Sequence, residues 1–182
     1  MQRLVWVLMK KNDGYPVKRM VIPKRLKRFG NGTLPERVLA PVQAGGLMYR
    51  VAAVSFNAMY DHARRDGVVL RSVGAYRSLE RQEQMFLQRM TLNKKLAKRP
   101  LVRRFWKKKV WYLQHLAPVA VPSTSNHGWG TAIDLDLTNS KVFPWLCKNA
   151  PKYGFYLQGK PFTVTGKPNP EYEPWHWQKV DA

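Results

Sequence analysis

The feature that most restricts how this chain can fold is an alternating segment at residues 131–137. Apolar side chains occupy one set of positions (Ile133, Leu135 and Leu137), and the intervening positions hold Ala132, Asp134 and Asp136. A period of two is typical of a β-strand, because successive side chains of a strand point to opposite faces of the sheet. The segment therefore predicts a strand with an apolar back and an acidic front.

Helical patterns precede and follow this strand. From Tyr49 onward, apolar residues recur at spacings of three and four, and Gly67 stands where a C′ glycine would end the helix. Ser78 predicts the N-cap of a second helix that runs to about Arg89, with acidic residues in its first turn. Shorter elements complete the pattern: a strand at residues 68–70, a helix at 141–153 closed by Gly154, and a last strand around 172–180.

Composition places the chain among folded and strongly basic proteins. Its 182 residues are 45% apolar, which excludes a mainly disordered polypeptide and is enough for a buried core. With 32 Lys and Arg against 11 Asp and Glu, the formal charge of +21 predicts an anionic partner: nucleic acid, anionic lipid or an acidic wall polymer. The charge is densest at residues 91–109, where nine of nineteen residues are basic and aromatic residues are interleaved with them.

The N-terminal part of the chain and its single cysteine further restrict the domain organisation and the class of protein. Residues 1–45 are rich in Lys, Arg and Pro, so we expect a basic, irregular N-terminal arm, solvated and partly draped over the rest of the chain, ahead of a domain at 46–182. Cys147 by itself cannot support a disulfide framework. No apolar run reaches the roughly 18–20 residues that cross a bilayer, so no membrane span is predicted. Residues 1–9 are apolar but short and lack a basic start, which predicts no secretory signal.

Four polar residues near the predicted strands are candidates for a metal site. His127 lies in a glycine-containing loop seven residues before Asp134, and Glu173 precedes His176 by three residues. Two imidazoles and one carboxylate form a usual zinc set that leaves a fourth position open for water, as catalytic sites do. Glu173 would then be the remaining acid, able to take a proton from that water. By spacing alone, Asp136 on the same strand face is as good a ligand as Asp134.

Glu173 and His176 can meet at one site only if the chain bends between them. Residues three apart on a regular strand face opposite sides of the sheet. Pro174 lies between the two and favours such a bend. We therefore predict a bend at Pro174.

Four sequence blocks, in the same order along the chain, resemble a known family. Residues 125–134 read SNHGWGTAID and resemble the S-x-H-x-x-G-x-A-x-D signature of the LAS metallopeptidases, which include lysostaphin-type enzymes, D-Ala-D-Ala carboxypeptidases and the sonic hedgehog fold. Three blocks resemble the D-Ala-D-Ala carboxypeptidase branch: YRSLERQ at residues 76–82, WLCKNAPKYGF at 145–155 and EPWH at 173–176. NGTLP at residues 31–35 and the spelling SNHGWG are similar to versions in actinobacteria and their phages.

The resemblance implies a fold and a set of zinc ligands. The fold is expected to be α+β, of the LAS and hedgehog type, with a small, mainly antiparallel sheet that bears the site and helices that flank it. The residues that match the zinc ligands are His127, Asp134 and His176, so the register of the signature selects Asp134 over Asp136. Glu173 would be the catalytic base and afterwards the proton donor.

Further residues are implied around the substrate. Arg77 would hold the substrate carbonyl or carboxylate and stabilise the oxyanion, because a guanidinium is a fixed fork of donors. Ser125 and Gln82 are candidates for orienting His127 or the substrate, with helix or turn capping as the alternative role. Trp175 is interpreted mainly as a wall of the pocket and secondarily as a substrate contact.

The leading hypothesis is a zinc-dependent peptidase that cuts the stem peptides of peptidoglycan, as a D-Ala-D-Ala carboxypeptidase or an L-Ala-D-Glu type endopeptidase. Basic patches would adsorb to anionic wall polymers. With no predicted secretory signal, we expect a phage lysin held in the host cytoplasm before release, or a virion-associated wall hydrolase. The alternative is a nucleic-acid-binding or virion-assembly protein on an inactive LAS fold, which uses the arm and residues 91–109. The complete set of ligands, base and arginine favours the enzyme.

Overall fold

The computed structural model describes residues 15–115, 119–162, 169 and 172–180. Over these residues the chain forms three α-helices: α1 (Arg50–Arg65), α2 (Leu79–Arg89) and α3 (Val142–Asn149). The same residues form nine strands: β1 (Leu39–Pro41), β2 (Leu47–Tyr49), β3 (Ser72–Gly74), β4 (Met90–Thr91), β5 (Arg99–Trp106), β6 (Lys109–Leu113), β7 (Ala132–Leu135), β8 (Phe155–Leu157) and β9 (His176–Lys179). None of these helices has the length and apolar composition needed to cross a membrane.

The central sheet contains β3, β7, β9 and β8, side by side in that order, and every neighbouring pair is antiparallel. Strand β7 is the predicted alternating strand: Ile133 and Leu135 are buried in the core, whereas Asp134 is partly buried on the opposite face. The register places Asp134 directly opposite His176 of β9. The predicted α+β fold with a small antiparallel sheet is confirmed.

Helix α1 packs its apolar side into the main core. Its buried residues follow the predicted spacing: Ala52, Ala53, Phe56, Met59 and Ala63. The ring of Phe56 meets that of Phe155 in β8 edge to face, with centroids 5.8 Å apart. The helix ends as predicted, because Gly67 adopts a φ of +72° and the amide of Val68 donates to the oxygen of Ala63 at 2.8 Å.

Helix α2 begins as predicted, whereas the strand before it lies further along the chain than expected. The Ser78 Oγ accepts a hydrogen bond from the amide of Arg81 at 3.1 Å, which caps the helix. The strand predicted at residues 68–70 is wrong, because pairing with β7 begins only at Ser72. The first and last residues of that segment are buried and the middle one is exposed. The apolar pattern correctly indicated that Val68 and Leu70 face the core. A β-strand also needs backbone hydrogen bonds to a neighbouring strand, and these begin only at Ser72.

The third predicted helix divides into two parts. Helix α3 ends at Asn149, and a 3-10 turn follows at Ala150–Tyr153. Pro151 has no amide hydrogen to continue the α-helical hydrogen bonds, which explains the change. The predicted closing residue, Gly154, follows with a φ of +74°.

The described part of the predicted arm, residues 15–45, packs against the rest of the chain. Leu26, Leu34 and Leu39 are buried in the same core as α1, and β1 pairs with β2. The segment is irregular and lies partly draped over the rest of the chain, as predicted, and these buried leucines pack it more closely than a mainly solvated arm would be. Residues 1–14 lie outside the described residues. The division of the chain at residue 45 stays a prediction.

A second, smaller sheet contains most of the basic stretch. Its strand order is β4-β6-β5, and β5 and β6 form an antiparallel hairpin. The sheet packs on α2 through a separate apolar cluster: Phe86, Met90, Leu113 and Val119. No element is predicted for this stretch from sequence, because lysine and arginine interrupt its apolar pattern.

Candidate metal centre

His127 lies in the 3-10 turn Asn126–Trp129, which precedes β7. The turn ends at Gly130, where φ is +64° and a Cβ would lie 2.7 Å from the backbone nitrogen of Tyr49. The His127 ring is buried, and its Nδ1 lies 2.9 Å from the backbone oxygen of Ala75. A hydrogen on Nδ1 that is donated to this carbonyl leaves Nε2 as an electron-pair donor, which is the usual arrangement of a metal-binding histidine.

The pairing of β7 with β9 brings the second histidine to the same place. His176 Nδ1 lies 2.9 Å from Asp134 Oδ1, and His127 Nε2 lies 3.2 Å from Asp134 Oδ2. The ligand atoms that these three residues offer all lie within 4.8 Å of one another. The structure thus brings the three predicted ligands together with Asp134 between the two imidazoles.

The donor set fits a zinc ion. Two imidazole nitrogens and one carboxylate oxygen are typical of catalytic zinc sites, which keep a further position open. The other ring nitrogen of His176, Nε2, is buried and has no hydrogen-bond partner among the described residues. Buried polar atoms are normally paired, so the protein groups described do not by themselves satisfy this ring.

The protonation states of the cluster also suit a metal ion. Burial lowers the pKa of His127, and the opposing effect of Asp134 does not cancel this shift. Burial alone would raise the pKa of Asp134, but its contacts with the two imidazoles outweigh burial and hold that pKa well below its usual range. At neutral pH the cluster therefore contains a carboxylate and a neutral His127, the forms that bind metals.

Asp136, the other carboxylate on the predicted strand face, lies outside this cluster. Strand β7 ends at Leu135, and the Asp136 carboxylate accepts hydrogen bonds from the amide and the hydroxyl of Thr138 at 2.9 and 3.0 Å. These bonds hold Asp136 in a turn. The register inferred from the signature, with Asp134 as the residue at the centre, agrees with this geometry.

Glu173 does not belong to the group of three predicted ligands, and it precedes His176 in the bend before β9. The chain bends at Pro174 and Trp175, and the amide of His176 donates to the backbone oxygen of Glu173 at 3.0 Å. The predicted bend is therefore present. The Glu173 side chain is exposed to solvent, where a reacting water or substrate can reach it.

Arg77 is held next to the centre by its backbone and its side chain. Its amide donates to the oxygen of His127 at 3.2 Å, and its Nη1 donates to Gln82 Oε1 at 2.9 Å. Burial lowers the pKa of the guanidinium, whereas the charges of Asp134 and Glu173 act in the opposite direction, so both carboxylates are near enough to interact with it. Arginine remains charged at neutral pH in spite of this burial.

Gln82, Ser125 and Trp175 were each predicted near the substrate, and the structure distinguishes their contacts. Gln82 is 2% exposed and bridges Arg77 to the oxygen of Ala120, at 2.8 Å from its Nε2. Ser125 is buried two residues before His127. Trp175 is partly buried in the bend, and its oxygen accepts a bond from Leu135 at 3.0 Å. Their part in substrate binding stays a prediction.

Asn31 and Gly32, in the predicted arm, are site residues that sequence reasoning did not assign. Asn31 is buried, and its Nδ2 donates to the oxygen of Ser125 at 2.8 Å. Gly32 links two segments, because its amide donates to Gly128 at 2.8 Å and its oxygen accepts from Leu79 at 2.9 Å. The pair thus ties the loop of His127 to the start of α2. In a sequence, an Asn-Gly pair indicates a turn. It does not indicate which distant residues the turn will contact.

Comparison with known families agrees with this geometry. The family model of the VanY D-alanyl-D-alanine carboxypeptidases matches residues 46–181. This chain belongs to the VanY family. The match covers all three predicted ligands as well as Arg77 and Glu173, and it confirms the resemblance inferred from the sequence blocks.

One relative supports the family assignment, and two solved structures show the same fold. A D-alanyl-D-alanine carboxypeptidase of Enterococcus faecalis is 30% identical to this chain over 129 residues. These residues are 67% of this chain and 44% of that protein, so the chain spans less than half of this relative. The vancomycin resistance D,D-pentapeptidase VanY of a VanB-type cassette, solved with Zn(II), has a TM-score of 0.52 at 24% identity, over 81% of this chain and 82% of that one. The structure of VanYB in complex with D-alanine-D-alanine has a TM-score of 0.54 at 22% sequence identity. The match covers 85% of this chain and 83% of that one. These structures share the fold.

Proposed function

We propose that this chain is a zinc-dependent peptidase that hydrolyses the stem peptides of peptidoglycan. The observation that carries the proposal is the convergence of His127, Asp134 and His176, with their ligand atoms within 4.8 Å of one another, in a VanY-family fold. A zinc ion held by these three side chains would act as a Lewis acid and lower the pKa of a water molecule. The remaining chemistry is assigned to side chains around this group.

Glu173 and Arg77 have complementary roles in the proposal. Glu173 takes a proton from the attacking water and passes it to the leaving amine, which a solvent-exposed carboxylate in the bend before β9 can do. Arg77 donates to the substrate oxygen on which negative charge develops, or to a terminal carboxylate. Gln82 holds the guanidinium from behind at 2.9 Å, and Ser125 and Trp175 are proposed to contribute to the substrate pocket.

The preferred substrate is a stem peptide that ends in D-Ala-D-Ala. The curated relative from Enterococcus faecalis is a D-alanyl-D-alanine carboxypeptidase, and VanYB was solved with D-alanine-D-alanine. A guanidinium such as that of Arg77 suits the terminal carboxylate of such a peptide. Cleavage inside the stem, between L-Ala and D-Glu, is the alternative specificity.

Mass spectrometry of purified stem pentapeptide after digestion tests the reaction and its specificity. We expect loss of one terminal D-Ala, inhibition by a chelator and recovery on addition of zinc. Two internal fragments would instead identify an endopeptidase. An intact peptide after incubation with zinc-loaded protein would overturn the proposed function.

The wider role that we propose is that of a phage lysin or virion-associated wall hydrolase. Its support is the charge of +21, which favours adsorption to anionic wall polymers, and the motif spelling similar to actinobacterial phage versions. The basic stretch at residues 91–109 would supply much of this attraction. Purified protein added to isolated actinobacterial walls should bind them and release amino acids. Walls that neither bind nor release amino acids would refute this role.

A further inference from the structure

The hairpin of β5 and β6 ends in an unusual turn. Trp106 pairs with Lys109, so Lys107 and Lys108 form the loop, and their φ angles are +48° and +59°. Two-residue turns with positive φ favour Asn-Gly, because other side chains are strained there. Here Lys107 and Lys108 occupy the two turn positions in spite of this strain, and Lys109 follows them. Strain that persists in a surface turn points to a function for the residues that bear it.

One face of the hairpin is covered by protein. The rings of Trp106 and Trp111 meet Phe86 of α2 edge to face, with centroids 4.9 and 5.4 Å from its ring. The Trp111 Nε1 also donates to the backbone oxygen of Trp106 at 3.1 Å. These contacts attach the hairpin to α2 and leave both tryptophans partly buried.

Apolar side chains on the hairpin are also exposed to solvent. Phe105 and Val110 are direct cross-strand partners and are 68% and 43% exposed, and Leu101 in the same strand as Phe105 is 93% exposed. A shallow depression of about 230 Å³ is lined by Phe105, Val110, Arg103 and Arg104. An exposed apolar cluster bordered by basic residues is typical of an interaction surface. We call Leu101, Phe105 and Val110 the apolar hairpin face.

We propose that the apolar hairpin face binds an anionic lipid surface. Leu101 and Phe105 enter the interfacial region, where apolar side chains leave water, and Lys108 and Lys109 contact the anionic headgroups. Lys107 is already engaged, because its Nζ lies 3.7 Å from Glu83 Oε1 and 4.2 Å from the centroid of the Trp106 ring. The face consists of residues separate from the ligands and from Glu173 and Arg77. Lipid binding is therefore independent of the peptide hydrolysis proposed above, and each can fail without the other.

Two other polyanions match the charge of the hairpin but not its apolar residues. A wall polymer is held through lysine and arginine charges, and an aliphatic side chain as exposed as Leu101 adds nothing to that attraction. A single-stranded nucleic acid stacks its bases on exposed aromatic rings. Trp106 and Trp111 are packed against Phe86 instead, so Phe105 is the one mostly exposed ring of the described hairpin, and a single ring cannot stack successive bases. The exposed combination of aliphatic, aromatic and cationic groups favours the lipid surface.

Co-sedimentation of the full chain with phosphatidylcholine vesicles, with and without phosphatidylglycerol, tests the proposal at physiological salt. The variants are Leu101→Ser and Phe105→Ser, and Val54→Ser is the matched control because Val54 on α1 is also 68% exposed. We expect binding to the anionic vesicles only, weakened about tenfold by each hairpin variant and unchanged in the control. Unchanged far-ultraviolet circular dichroism verifies that each variant is folded.

Parallel titrations with isolated walls and with an oligonucleotide identify the partner. Binding to vesicles that depends on Leu101 and Phe105, with wall binding unaffected by either change, supports the lipid surface. The proposal is overturned if wild-type protein does not bind the anionic vesicles, or if both serine variants bind them as tightly as the wild type. It is also overturned if Phe105→Ser weakens binding to the oligonucleotide or the walls and leaves vesicle binding unchanged.

Discussion

Asn31→Ala removes a buried amide from the segment that ties the ligand loop to α2. The Asn31 side chain is 8% exposed, and its Nδ2 donates to the oxygen of Ser125 at 2.8 Å. Gly32 continues the link through its bond to Gly128. Because His127 lies between Ser125 and Gly128, loss of the amide should loosen the loop that carries this proposed ligand.

The structure gives a magnitude for the loss of stability. A deleted hydrogen bond costs about 0.5–1.5 kcal/mol. The Ser125 oxygen keeps a second bond, from the amide of Gly128 at 3.0 Å, so it is not left unpaired and the larger cost of an orphaned acceptor does not apply. A small cavity adds to the cost, for a total of about 1–2 kcal/mol. In a domain of this size, the melting temperature should fall by roughly 2–8 °C.

The same substitution should weaken zinc binding. Contacts that orient metal ligands typically change the affinity by about 10–100-fold when they are removed. Asn31 acts on His127 through the backbone of the loop, so we expect the lower end, about tenfold. Asn31→Asp keeps the side-chain volume but replaces the donor with an acceptor facing Ser125, and it should weaken zinc binding at least as much. Thr33→Ala is the control, because the exposed Thr33 bonds only locally, to the oxygen of Gly30 at 3.0 Å.

Competition with a chelator measures the zinc affinity, and thermal unfolding with and without zinc measures the stability. For the Asn31 variants we expect the loss of melting temperature to be larger with zinc than without it, because the bound ion stabilises the variants less. The control should match the wild type in both assays. Wild-type zinc affinity in Asn31→Ala and Asn31→Asp would refute the reasoning, since Asn31 would then contribute to packing alone.

Three further predictions concern the metal, the base and the charge. Elemental analysis should find about one zinc per chain in the wild type and a large loss in His127→Ala, whereas wild-type protein that stays metal-free after reconstitution would exclude the site. Glu173→Ala should keep zinc but lose about 10²–10⁴-fold in hydrolysis rate, and a wild-type rate would show that the base lies elsewhere. Replacing the three lysines at 107–109 with glutamine should weaken wall binding and its salt dependence. Hydrolysis of a short soluble peptide should not change, because exposed charges act over about 8–10 Å, and a slower rate would contradict this.

Signals that act over a few residues were sufficient to predict several of the elements around the site. The Ser78 hydroxyl can cap α2 because the amide it accepts from is only three residues away. Gly67 ends α1 because it tolerates a φ of +72° that other residues avoid. The alternation around Asp134 and the bend at Pro174 likewise follow from the stereochemistry of neighbouring residues. Each of these features could be predicted because it needs no distant partner.

The meeting of the ligands was decided by strand pairing. Asp134 and His176 are 42 residues apart and come together because β7 and β9 pair in one register. A slip of one residue would turn His176 to the opposite face of the sheet. Asp136 has the same local pattern as Asp134, but it lies beyond the end of β7 and bonds to Thr138. Spacing could not separate the two carboxylates because the end of the strand depends on its neighbours.

The place of the N-terminal segment was also decided by tertiary structure. Its lysines and arginines predicted an arm that is solvated and only partly draped over the domain, because charge outweighs the scattered leucines in any local window. Leu26 and Leu34 are nevertheless buried, since the surface that receives them is formed by residues far along the chain. Asn31 reaches Ser125 across 94 residues for the same reason. Complementary surfaces of this kind exist only once the chain has folded, so no local pattern contains them.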